Sequence, residues 1–181
     1  DVTFNTAVTD LGTCEPYAKK SSAAGFFLCN ANVTWGATVT TVPANEPNWI
    51  FDAAVSQTLT CNITTSNYYV MGEDIKFGNT NSPTITITGS NSDRIYSYNG
   101  SIYINGTTHV IAGNATLDRY LSTGGTFNMS SGSQLDIGSS NSFPGFNSRY
   151  AYSTYNINSN STTKYYGVST TQDIAEPRAK F

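Results

Sequence analysis

Hydrophobic and polar positions alternate in short runs along this chain, and no stretch keeps a helical period. Over residues 33–42, Val33, Trp35, Ala37 and Val39 fall on one side of an extended strand, with Thr34, Thr38 and Thr40 on the other. Thr84-Ile85-Thr86-Ile87-Thr88 repeats the pattern. Further short strands are expected at 115–121, 125–129, 133–137, 149–157 and 163–169, punctuated by Ser/Gly/Asn clusters at 130–133 and 138–142.

The most detailed pattern lies at 94–111, where Asn99-Gly100 and Asn105-Gly106 separate three alternating runs. Asn-Gly suits a two-residue hairpin turn, because both central positions need positive φ. Two in series predict a three-stranded antiparallel meander with Ile95 opposite Ile104, Tyr96 opposite Tyr103 and Ile102 opposite His109. One face then collects Ile95, Ile102, Ile104, His109 and Ile111 as core, and the other collects Tyr96, Tyr98, Tyr103 and Val110. Regular short strands with frequent turns predict an all-β fold, an immunoglobulin-like or jelly-roll β-sandwich. A β-solenoid is the alternative, set behind because the strands show no fixed repeat period.

At the amino terminus, Val2, Phe4, Thr6 and Val8 share one side of a strand. Such a strand is either an edge of its own sheet or a donor strand that completes a neighbour's sheet, its alternate side chains filling the neighbour's pockets. The donor reading divides the chain into residues 1–13, donor strand and linker, and residues 14–181, the sandwich domain. A link of this kind is heterologous and propagates into a filament.

Composition narrows the function. The 181 residues carry 12% charged side chains and a net charge of −3, with 12 Tyr and 9 Phe. The place of charge is taken by 26 Thr, 21 Ser and 19 Asn. Such a chain has too little charge and too many aromatics for a disordered segment. It has no basic stripe for phosphates, which argues against nucleic acid, and no apolar run near the ~20 residues of a membrane helix. Asp1 opens directly on the strand pattern, as in a processed secreted chain.

Candidate chemistry is sparse. His109 is the single histidine and falls among isoleucines, where a packed strand residue is expected rather than a base. The twelve acids are scattered, and no Cys/His set has zinc spacing, so no catalytic residue, metal or cofactor is expected. Glu73-Asp74 and Asn91-Ser92-Asp93 read as solvated loop acids rather than a calcium site. Of the three cysteines, Cys14 and Cys29 close the shortest loop and form the expected disulfide, leaving Cys61 a buried thiol. Asn-X-Ser/Thr sequons stand at Asn32, Asn62, Asn99, Asn105, Asn114, Asn128 and Asn160. About five would arise by chance in so Ser/Thr-rich a chain, so only some are expected to carry sugar. Tyr96, Tyr98, Tyr103, Tyr150 and Tyr152 are candidates for stacking on a glycan, if they are not core.

Val2-Thr3-Phe4, then Val8 and Cys14, resembles the start of a chaperone–usher pilin. The uncharged Ser/Thr/Asn/Tyr-rich composition with its sequons is similar to that of archaeal cell-surface threads, which also exchange donor strands. The likeness to pilins covers about the first 14 residues; the third cysteine and the Ile174–Phe181 end depart from it. It implies an extracellular, cell-surface filament subunit, a non-enzyme whose partners are identical subunits and host or cell-surface glycans. A monomeric carbohydrate-binding adhesin using exposed tyrosines is the alternative.

Overall fold

A computed structural model describes residues 2–7, 26–35, 48–61, 70–89, 94–97, 100–113, 116–119, 125–137 and 152–165. In chain order the strands are β1 (Val2–Phe4), β2 (Phe26–Cys29), β3 (Val33–Trp35), β4 (Asn48–Phe51), β5 (Ser56–Cys61), β6 (Val70–Gly72), β7 (Ile75–Phe77) and β8 (Thr84–Gly89). They continue as β9 (Arg94–Ser97), β10 (Ile102–Ile104), β11 (His109–Gly113), β12 (Thr116–Arg119), β13 (Thr126–Met129), β14 (Gln134–Ile137), β15 (Thr154–Ile157) and β16 (Thr162–Tyr165).

All described strand pairings are parallel, and strands consecutive in sequence mostly belong to different sheets. The first sheet runs β1-β2-β4-β7-β10-β13-β15, the second β16-β14-β11-β8-β5-β3, and the third β12-β9-β6. From β7 to β12 the chain visits the first, second and third sheets in turn, twice over. This is a β-solenoid: each coil lays one rung on the coil before it. The expected all-β class holds, but the expected sandwich gives way to the architecture placed second.

The inside of the first sheet is built from two columns of side chains. Phe27, Trp49, Ile75, Ile102, Phe127 and Tyr155 occupy one, each in register with the next. Cys29, Phe51, Phe77, Ile104, Met129 and Ile157 occupy the other. Rings pack along them: Phe27 is tilted against Trp49 at 5.2 Å and Phe51 stacks on Phe77 at 5.7 Å between centroids. Ile85, Val110 and Leu135 face them from the second sheet, and Ile95 and Leu117 from the third, all buried. Apolar burial along these columns is the main stabilising term.

Polar ladders finish the coils. At the start of the first sheet, Asn48 Oδ1 accepts from Asp74 N–H, Asp74 Oδ1 from Ser101 N–H, and Ser101 Oγ from Thr126 N–H, at 3.0, 2.8 and 2.8 Å. At its end, three corners use one turn: Thr108 N–H donates to Asn105 O, Ser133 N–H to Ser130 O and Ser161 N–H to Asn158 O. Gly106 and Gly132 take φ of 57° and 79° in two of these turns, which L side chains rarely adopt.

The predicted meander is therefore corrected. β9, β10 and β11 belong to three sheets and do not pair with one another. Asn105-Gly106 does turn the chain, but the turn spans Asn105–Thr108 and keeps the parity of the alternation, where a two-residue hairpin would reverse it. Ile102, Ile104, Val110 and Ala112 consequently point inward, while His109 and Ile111 are half-exposed. The expected strands near 115–121, 125–129, 133–137, 149–157 and 163–169 appear as β12 to β16.

Candidate functional site

The surfaces that a solenoid offers are its two ends and its outward sheet faces. The ends follow from the columns. Interior rungs such as Phe51, Phe77, Ile104 and Phe127 are fully buried, but Phe4 at one end and Tyr155 and Ile157 at the other are half-buried. Among the described residues, these outermost positions have an in-register neighbour on one side only. Phe4 stacks on Phe27 at 5.8 Å, and Asn30 Nδ2 donates to Asn5 Oδ1 at 2.9 Å. Among the described strands, β1 and β15 are the edges of the first sheet, and an edge presents a row of backbone donors and acceptors.

The predicted donor-strand residues thus lie partly in this chain's own ladder. Val2, Thr3 and Phe4 register with Phe27, Leu28 and Cys29 of β2, in parallel. Thr6 follows β1 and is exposed, and Val8 lies outside the described residues. The proposed boundary between residues 13 and 14 is spanned by the β1–β2 pairing.

On the outward face of the first sheet, Lys76 and Tyr103 are register partners, with Lys76 Nζ 5.5 Å from the Tyr103 ring centroid. This cation–π contact occupies one face of the tyrosine that sequence reasoning offered to a sugar. Tyr152 is corrected from a surface candidate to a core residue: it is 3% exposed, packs on Phe127 and shares a 2.8 Å hydrogen bond with Ser97 Oγ. Tyr96 lies in β9 opposite Asp118, and Tyr98 and Tyr150 lie outside the described residues.

On the outward face of the second sheet, His109 leaves the isoleucine core expected for it. Its Nε2 is 3.0 Å from Asp136 Oδ2, at ion-pair distance though poorly aligned for a hydrogen bond. Gln134 Nε2 donates to Asp136 Oδ1 at 2.7 Å, so both carboxylate oxygens are engaged. Among the described residues no three His, Cys, Asp or Glu side chains cluster to hold a metal ion, and no helix is long and apolar enough to cross a membrane.

The expected Cys14–Cys29 disulfide is not formed. Cys29 is a free thiol, fully buried in the second column between the Phe4 and Phe51 rungs. Burial pushes its pKa from 9.0 to about 12. Cys14 and the side chain of Cys61 are not among the described parts.

Sequence reasoning passed over two structural polar residues. Asp52, 3% exposed, accepts from the N–H groups of Asn79, Thr80 and Asn81 at 2.8, 3.1 and 2.9 Å and so holds the corner of the next coil. Gln57 stands in the column of Ile85, Val110 and Leu135, yet its Nε2 donates to Cys29 O and Ala31 O. The coil through Cys29 turns to Val33 in four residues, whereas Phe51 to the aligned Leu59 takes eight, and Gln57 satisfies carbonyls of that shorter corner. The signal for Asp52 was its place directly after Trp49-Ile50-Phe51, matching Asn105 after Ile102-Tyr103-Ile104.

Compared with known proteins, the chain matches no family model, no curated protein and no solved structure.

Proposed function

We propose that this chain is a structural subunit of an extracellular, cell-surface filament, in which copies stack end to end and serve adhesion or surface structure. One observation carries the reading: an all-parallel ladder has two unlike ends, and both its half-buried apolar residues and its edge strands are set to continue in the same sense. Laid on β15 in that sense, a neighbour's β1 places Val2 and Phe4 opposite Tyr155 and Ile157, and Asn5 opposite Asn158. The two columns and the polar corner then run on through the junction. Donor-strand complementation takes the form of edge addition here, with backbone hydrogen bonds giving affinity. Low charge on the chain limits repulsion between copies.

The reading fixes a dimension. Seven rungs in the first sheet at about 4.8 Å each give an axial repeat of about 34 Å per subunit. Electron micrographs should show filaments with that rise and a 4.8 Å meridional spacing.

Blocking variants supply the decisive test. Phe4→Lys spoils one end and Ile157→Lys the other, each placing a charge where an apolar column must continue. Neither variant alone should form filaments, and an equimolar mixture should give dimers by light scattering, since each retains one good end. Filaments from either single variant, or a wild-type chain that stays monomeric at high concentration, would refute the reading. Carbohydrate binding through Tyr103 is the second reading; loss of glycan-array binding on Tyr103→Ala would favour it.

A further inference from the structure

Four of the seven sequons fall within the described residues, and their amides are used in different ways. Asn105 is half-buried and its Nδ2 donates to the Gly78 carbonyl at 2.8 Å, within the polar column that closes the first sheet. Asn128 is half-buried in β13, between Tyr103 and Asn156 in register, with its Oδ1 accepting from Asn156 Nδ2 at 2.9 Å. Asn32 is exposed, and its bond uses the oxygen: Oδ1 accepts from Thr58 N–H at 2.8 Å. Asn160 is exposed, with Nδ2 at 3.5 Å from Ser131 Oγ, the outer limit of a hydrogen bond.

We infer that Asn32 and Asn160 are N-glycosylation sites of this protein and that Asn105 and Asn128 are bare. The inference rests on the extracellular part of the reading above, since the sugar donor is a lipid-phosphate-linked oligosaccharide met on the secretory route. In the transfer, Asn Nδ2 attacks the anomeric carbon of that donor. The bond from that carbon to the phosphate oxygen breaks, the lipid phosphate leaves, and the amide nitrogen gives up one proton. At Asn32 the product keeps the Oδ1 bond intact. At Asn160 the remaining N–H is enough for Ser131. At Asn105 the sugar would be carried on the nitrogen that faces Gly78 O, and Asn128 is half-buried within a strand, with Tyr103 and Asn156 directly beside it in register.

Asn32 and Asn160 both lie where the chain passes from the first sheet to the second, on the coils of β2 and β15. Those coils are five rungs apart, which separates the two glycans by about 24 Å along one corner of the rod. The outward faces of the first and second sheets carry neither site, and Asn160 sits at the corner of the terminal coil rather than in its apolar columns.

The test is glycopeptide mapping by mass spectrometry of the full chain secreted from a eukaryotic host, alongside native material. Occupancy is expected at Asn32 and Asn160, with none at Asn105 or Asn128. Thr34→Val and Thr162→Val, which remove each sequon but leave its asparagine, should each lose one glycan mass. Occupancy of Asn105 or Asn128 in the secreted protein, or bare Asn32 and Asn160, overturns the site choice. Native protein bare at all four positions overturns its glycosylation and the extracellular premise. Failure to form filaments would leave both untouched.

Discussion

Replacing Phe77 by alanine asks whether the stacked columns hold the fold. Phe77 is fully buried, in register between Phe51 and Ile104, and its ring lies 5.7 Å from that of Phe51. Removing it strips contacts from the rung on each side and leaves a cavity that parallel backbones, fixed by two ladders of hydrogen bonds, cannot close. The expected loss is about 3–5 kcal/mol. Ile157 occupies the same column one step beyond Met129 but is half-exposed at its end. With a neighbour on one side only among the described residues, Ile157→Ala should cost about 1–2 kcal/mol, below the usual range for a buried isoleucine. At about 2–4 °C per kcal/mol for a chain of this size, the two variants should separate by several degrees in Tm. Urea unfolding followed by far-UV circular dichroism and by tryptophan fluorescence measures both, with Trp49 stacked on Phe51 as a reporter two rings from the lesion. A solenoid couples each coil only to its neighbours, so Phe77→Ala should also lower the m-value, as the coils on either side begin to unfold separately. Equal losses at positions 77 and 157, or less than about 1.5 kcal/mol at Phe77, would refute the column reasoning.

Asp52→Ala strands three backbone N–H groups at the corner of the following coil, and a loss of about 2–4 kcal/mol is expected in the same urea assay; Asp52→Asn should recover part of it. Tyr152→Phe removes the 2.8 Å bond to buried Ser97 and should cost about 1–2 kcal/mol with the fold unchanged by circular dichroism. With its pKa raised to about 12, Cys29 keeps its proton in the folded state after the unfolded chain has released it. Its contribution is fully present below about pH 9 and is lost as pH rises toward 12, at about 1.4 kcal/mol per pH unit. Cys29→Val should flatten that part of the urea-midpoint profile, and an unchanged slope would count against the buried thiol.

Alternation made the strands legible, because burial of one face imposes period two in any sheet. It could not say what each strand pairs with. An antiparallel hairpin and a solenoid corner both need a turn after an alternating run, and Asn105-Gly106 satisfies either. The difference lay in parity. Placing His109 inward required a two-residue turn, whereas the four-residue corner kept Ile102, Ile104, Val110 and Ala112 on one side. The repeat itself was present in the sequence. Ile102-Tyr103-Ile104-Asn105, Phe127-Asn128-Met129-Ser130 and Tyr155-Asn156-Ile157-Asn158 share an apolar, outward, apolar, polar order. Their spacings of 25 and 28 residues differ because the length of chain between sheets differs from coil to coil, which hides the period from a fixed-interval search. Cys29 was misread for a related reason. Loop length favours a bond to Cys14, but the column position that buries Cys29 among rings was not visible until the coils were aligned.

The change of fold alters the way in which copies are proposed to join. In a sandwich missing a strand, the donor is a plug and deleting it leaves an empty groove. In the solenoid, β1 is the first rung on its own β2, and removing residues 1–7 uncovers another parallel edge with Phe27, Cys29 and Asn30 in the same columns. A truncated chain therefore still offers an end, and only a charge placed in a column, at Phe4 or Ile157, separates the mechanisms. Direction is set by the strands as well. Two copies meeting through the same edge, β1 on β1, are related by a two-fold axis and must pair antiparallel, which breaks the register of both columns. Only the unlike edges keep the parallel sense, so the contact that preserves the ladders is heterologous and does not close on itself.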